Sequence, residues 1–222
     1  MGKPWYLVAP VLLALLVGFV SGFWIERERW VARLPSRVSI AGSHAERLDQ
    51  LNLLSSSRTR VVMLGDSITQ RGEWSELLGE VVANRGLGGD TTRDVLARVA
   101  SVPASAEKIF VMVGVDDLAG AHRSALDVAA DTRRIVRALS PRKVVVQSVL
   151  FTTHPNLNGA IAELNDRNRA YCAAGACRYL ELNDLFSRDG LLRTDMTVDG
   201  VHLVGKAYPL WAARVKALDR DP

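Results

Sequence analysis

The stretch "VVMLGDSITQ", residues 61–70, decides how this chain is read. Four apolar residues, Val61 to Leu64, run into Gly65, Asp66 and Ser67, and polar residues follow. A short apolar run closed by glycine marks a buried strand. Ser67 then stands where the chain leaves the strand for a helix. Two explanations compete for it. Serine is a good helix N-cap. Alternatively, a hydroxyl is delivered to a strand end because it reacts. In either case Asp66 is suited to accept backbone N–H groups of the turn.

Working outward, the same kind of run recurs. "RVVMLG" (60–65), "KIFVMVG" (108–114) and "KVVVQSVL" (143–150) have strand length and β-branched character, with "EVVANRG" (80–86) and "RYLELN" (178–183) as weaker strands. Helical spacing lies between them, in "EWSELLGEV", "TTRDVLARVA", "ALDVAADTRRIVRALS" and "AIAELNDRNRAYCAA". "GKAYPLWAARVKAL" is a final helix with Pro209 in its first turn or at a kink. Near-continuous apolar strands alternating with helices predict an α/β fold with a parallel sheet covered on both faces. The ligand crevice of such a fold lies at the carboxyl ends of the strands.

A reactive Ser67 requires partners on that same edge. "NRGLGGDTT" (84–92) follows the second strand, "VGVDDLAG" (113–120) the third, and "TVDGVHL" (197–203) precedes the last helix. A serine hydroxyl is a weak nucleophile until a base takes its proton. His202 has Asp199 three residues before it, a spacing that lets the carboxylate hold one ring nitrogen while the other faces the serine. Asp199 as a plain turn residue is the competing reading. The N–H groups of Ser67 and of the glycine-rich turn at Gly89 can serve a tetrahedral oxyanion. His154 reads as a loop histidine or as a crevice wall, Trp74 as core, and Arg93 as a solvated helix face. His44 and His122 read as solvent-facing.

These segments resemble the blocks of the SGNH, or GDSL-type, hydrolases: GDSI (65–68), Gly89 before Asp90, GVDD (114–117) and DGVH (199–202). The resemblance covers roughly residues 60–218, with wording similar to the branch of platelet-activating-factor acetylhydrolase-like enzymes and small bacterial acyl esterases. It implies a flavodoxin-like three-layer α/β/α sandwich around about five parallel strands. It also implies serine esterase chemistry with Ser67, His202 and Asp199 as the triad and with no metal or organic cofactor. The expected substrate is a small acyl ester, such as an O-acetyl group on a glycan or a lipid-derived ester. The third block departs from the family, which has Gly-x-Asn-Asp. Asp116 replaces the asparagine that donates to the oxyanion. An ionised carboxylate has no hydrogen to donate and repels negative charge. Three possibilities stay open: Asp116 is protonated, it turns away and leaves a slow enzyme, or the fold is a membrane-bound binding or scaffold module.

Bulk properties fit this organisation. The chain has 222 residues, 48% of them hydrophobic and 23% charged, with a net charge of +4. No basic stripe with interleaved aromatics points to nucleic acid. Cys172 and Cys177, in "YCAAGAC", lack metal-ligand spacing. They read first as two small buried residues, and as a short-loop disulfide if Gly175 turns the chain in an oxidising compartment. "WYLVAPVLLALLVGFVSGFWI" (5–25) carries no charge. Coiled as a helix it is about 30 Å long, the thickness of a hydrocarbon core. Aromatic residues at its ends and the lack of a small-residue cleavage site favour an uncleaved anchor over a signal peptide. Residues 1–25 are therefore expected to form a single-pass anchor, 26–59 a connector with a short amphipathic helix, and 60–222 the hydrolase domain. Arg27, Arg29, Arg33 and Arg37 after the span would hold the domain in the cytoplasm. The short basic head before it resembles an export signal, and an extracytoplasmic domain is the expectation.

Overall fold

The computed structural model describes residues 40–218. The chain divides into two units between Glu46 and Arg47, and the second holds all that follows. The anchor expected at 5–25 lies outside the described residues. Among the described residues no helix is long and apolar enough to cross a membrane.

Helix α1 (Ile40–Leu53) precedes β1 (Val61–Gly65). Then come α2 (Ser67–Gln70), α3 (Trp74–Leu78), β2 (Val82–Gly86), α4 (Thr92–Ala97), β3 (Lys108–Met112), α5 (Val115–Ala119) and α6 (Ala125–Leu139). The chain continues through β4 (Lys143–Gln147), α7 (Pro155–Tyr171), β5 (Arg178–Leu180), α8 (Asn183–Phe186), a two-residue hairpin β6–β7 (187–188 and 191–192) and α9 (Ala207–Leu218). The five long strands form one parallel sheet in the order β2-β1-β3-β4-β5. All five strands read from the sequence are present, and the order is the flavodoxin-like one.

The pleat explains the strand composition. Met63, Phe110 and Val145 point to one face, where Trp74, Ile161, Leu164 and Trp211 cover them. Val62, Leu64, Ile109, Val111, Val144 and Val146 point to the other, under Val95, Ile135 and Leu139. Both faces are buried, so the runs read as continuous rather than alternating. Each large side chain so buried contributes roughly 1.5–3 kcal/mol.

Three boundaries differ from the sequence reading. The apolar run "KVVVQSVL" leaves the sheet after Gln147 because β5 is short. Beyond Ser148 side chains replace the ladder: Asn165 Oδ1 accepts Val149 N–H at 2.8 Å, and Asn183 Oδ1 accepts Phe151 N–H at 2.7 Å. Helix α7 starts at Pro155, several residues before its apolar spacing begins, because proline suits a first helical turn. The compact unit begins at Arg47, within the stretch read as a connector. Leu51 is buried there, and Arg47 Nε donates to Gly86 O at 2.9 Å.

Cys172 and Cys177 form a disulfide, which replaces the first reading of two separate buried cysteines. Gly175, at φ 91°, supplies the turn that brings them together. Pro209 falls in the first turn of α9.

Candidate active site

The site is assembled at the carboxyl edge of the sheet. Asp66 caps α2 by accepting the Ile68 N–H at 3.0 Å, as the sequence implied. The chain therefore turns sharply after β1 and presents Ser67 as the first residue of α2. Helix α2 is fixed from behind. Trp74 Nε1 donates to Thr69 O at 2.7 Å and Tyr208 OH to Ile68 O at 3.0 Å. The Trp74 and Trp211 rings meet edge to face with centroids 4.7 Å apart. Trp74 is core, as read.

His202 reaches Ser67 from 135 residues away: Ser67 Oγ lies 2.8 Å from His202 Nε2. His202 Nδ1 is 2.6 Å from Asp199 Oδ2. Asp199 Oδ1 also accepts the N–H of His202 at 2.8 Å and of Val201 at 3.1 Å. Burial pushes the Asp199 carboxyl up, but these bonds and the neighbouring imidazole outweigh it and hold the group at about 2. An ionised carboxylate accepts only, so Nδ1 carries the ring hydrogen and Nε2 is left to accept the serine proton.

The loop holding this pair is itself braced. Thr197 Oγ1 donates to His202 O at 2.7 Å, and Thr153 N–H donates to Gly200 O at 2.9 Å. Gly200 sits at φ 91°, and a Cβ there would lie 2.4 Å from Thr153 Oγ1. Glycine is required at that position on both counts. His154 is exposed, and its Nε2 flanks Gly200. It stands at the rim beside the Asp199 turn.

Gly89 lies in the loop between β2 and α4. Gly88 N–H donates to Gln70 Oε1 at 2.6 Å, which ties the loop to α2. Among the described residues the N–H groups of Ser67 and Gly89 make no hydrogen bond within the chain. Asp116 lies in the first turn of α5, half-buried, and its Oδ2 is buried with no hydrogen-bond partner among the described residues. Burial pushes its carboxyl above the usual range. Asp117, Asp90 and Asp94 push the same way, and His202 pulls against them. Asp66 is driven up to about 8, first by burial and next by Asp116. The structure thus brings Ser67, His202 and Asp199 into one hydrogen-bonded line.

Sequence reasoning missed the buried polar residues beneath the site. Arg98 donates from Nε to Asp90 and from Nη2 to Gly65 O at 2.9 Å. Asp117 accepts the Thr92 N–H and hydroxyl, each at 2.7 Å. Asp90 and Arg98 flank the two ends of α4, and in the sequence charged residues at helix ends read as solvated. Arg93 is largely exposed and lies 3.7 Å from Asp131, a surface position as read. His122 is exposed and His44 half-buried.

Such a line can take a proton from the serine hydroxyl and carry it through an imidazole held by a carboxylate. Comparison with known proteins identifies the family and the fold. Residues 63–209 match the profile of the GDSL-like lipase/acylhydrolase family. A Streptococcus pneumonia protein provisionally named a platelet activating factor superposes with a TM-score of 0.73 at 18% identity, covering 89% of this chain and 98% of that one. A GDSL-like lipase from Bacteroides thetaiotaomicron gives 0.65 at 20% identity, covering 81% and 98%. An N-acylneuraminate cytidylyltransferase from Streptococcus agalactiae is 26% identical over 170 residues, which are 71% of this chain and 40% of that protein. The chain thus spans well under half the length of that curated relative.

Proposed function

Because the chain belongs to the GDSL-like lipase/acylhydrolase family and is on that ground a carboxylic ester hydrolase, we propose that it is a serine esterase in which Ser67, His202 and Asp199 form the triad. The observation that carries this reading is the 2.8 Å contact between Ser67 Oγ and His202 Nε2. Ser67 attacks the acyl carbonyl as its proton passes to Nε2. The tetrahedral oxyanion meets the N–H groups of Ser67 and Gly89. His202 then gives its proton to the leaving alcohol, and water repeats the sequence to free the acid. Asp199, ionised through the working range, balances the imidazolium at each stage.

Asp116 serves as the third donor in its neutral form. Its buried, unpartnered Oδ2 supports this reading, since an ionised oxygen left so would carry an uncompensated desolvation penalty. A carboxylic acid kept neutral by an apolar site can donate a hydrogen bond to an oxyanion, as one does in ketosteroid isomerase.

The substrate we infer is a small acyl ester. The curated relatives are named for a sugar acid, N-acylneuraminate, which favours a glycan over a lipid as the alcohol of the ester. We further infer that residues 1–25 tether the domain to a membrane, with the domain outside the cytoplasm. The Cys172–Cys177 disulfide supports an oxidising compartment.

A fluorophosphonate probe tests the reading. It is expected to label the wild-type chain and not Ser67→Ala. No labelling between mildly acidic and alkaline pH would favour the second reading that Asp116 raises, a membrane-bound binding module on a hydrolase fold.

A further inference from the structure

The loop that presents Gly89 is fastened on both sides by buried carboxylates that take no part in the proton relay. On one side Asp90, fully buried, accepts Arg98 Nε. Arg98 Nη2 donates to Gly65 O, the same carbonyl that accepts Leu87 N–H at 3.0 Å. Gly65 ends the strand that delivers Ser67. On the other side Asp117, also fully buried, accepts the N–H and hydroxyl of Thr92, and Arg123 Nη1 donates to both Asp117 and the Thr92 hydroxyl. Asp117 is the chain neighbour of Asp116. One ion pair therefore ties the Gly89 loop to the serine turn, and one carboxylate ties it to the helix that carries Asp116.

Stability alone does not explain this arrangement. Helix α4 already has a complete capping box between Thr91 and Asp94. Buried ion pairs are often no more stabilising than apolar residues of the same volume. What charged hydrogen bonds supply is direction and distance. Arg98 even leaves Nη1 buried without a partner among the described residues, while its other two contacts are kept.

We propose that Asp117 and Arg98 are positioning residues that hold the Gly89 N–H at a fixed distance from Ser67 Oγ while the tetrahedral intermediate forms. The inference rests on the esterase reading above. It assigns the turnover number, rather than substrate affinity, to two side chains that touch no substrate. A loosened loop still admits the ester, but it stabilises the oxyanion less, because that interaction strengthens only in the transition state.

The test measures kcat and KM on p-nitrophenyl acetate for the full chain, with active sites counted by fluorophosphonate titration. Asp117→Asn and Arg98→Lys are expected to lower kcat roughly ten- to hundred-fold with KM nearly unchanged, the scale of a 1 Å misplacement. Thr92→Val is expected to lose less in the same direction, and Thr92→Ser to retain wild-type turnover. Amide hydrogen exchange over residues 87–92 is expected to quicken in Asp117→Asn and Thr92→Val, while exchange in β3 stays as in the wild type. Wild-type kcat per active site in both variants would overturn the proposal, as would unchanged exchange over 87–92. If Asp117→Asn fails to fold, Thr92→Val, which keeps the shape and loses only the hydroxyl, decides the matter. A wild-type chain with neither turnover nor labelling would remove the esterase reading, and the exchange measurement would still decide whether the clamp exists.

Discussion

At the scale of single residues the site turns on Asp116. The sequence showed the acid where the family has an amide, but not its protonation, which depends on burial and on acids brought from other loops. Asp66, Asp90, Asp94 and Asp117 come from three strand ends and crowd the same edge. Replacing the acid by Asn provides an N–H donor at every pH. The wild-type residue donates only below its own raised pKa and loses the proton as pH climbs through it. Asp116→Asn is therefore expected to match the wild-type kcat where the acid is protonated and to exceed it once the pH passes that raised pKa, by up to roughly a hundred-fold, the worth of one oxyanion donor. The ratio of variant to wild type should widen as pH increases, because only the wild-type residue loses its donor. Parallel pH–rate profiles of the two chains check this, and a fall in turnover would give the carboxylate a role other than donor. Ser67, His202 and Asp199 were legible because each stands in a short motif. Arg98 and Asp117 were not, because an arginine or aspartate reads as surface until the fold encloses it.

At the scale of elements, helix α2 is only four residues long and holds its place through neighbours. Trp74, Tyr208 and Trp211 form the block behind it, from elements far apart in the chain. Trp211 is fully buried and donates from Nε1 to Gln147 Oε1 at 2.6 Å. Trp211→Ala is expected to lower unfolding stability by about 3–5 kcal/mol, through the cavity left and the orphaned amide. Urea denaturation monitored by circular dichroism measures it. Strand positions were readable because burial on both faces leaves an unbroken apolar run. Their ends were less so: the run through Leu150 is as apolar as a strand, yet its backbone is satisfied by Asn165 and Asn183. Those asparagines lie on two helices whose approach only the folded chain reveals.

At the scale of the molecule, the two edges of the sheet have separate duties. Chemistry gathers at the carboxyl edge. The Cys172–Cys177 bridge lies between the end of α7 and the start of β5, on the opposite edge. A loop this short restricts the unfolded chain little, so the double variant Cys172→Ser/Cys177→Ser is expected to lose at most about 2 kcal/mol of stability. Its kcat is expected to match the wild type, as read from thermal melts and ester turnover side by side. The fold class and the side of the sheet that works were both legible from the strand–helix alternation. The pairing of the cysteines was not, since it depended on the backbone at Gly175. The separation of Ser67 from His202 has a consequence during synthesis. The nucleophile emerges from the ribosome with the first strand, and its base only after the fifth. On the esterase reading, a growing polypeptide with most of its sheet built is still harmless to esters, and hydrolysis marks the moment when the final loop has closed over the finished scaffold.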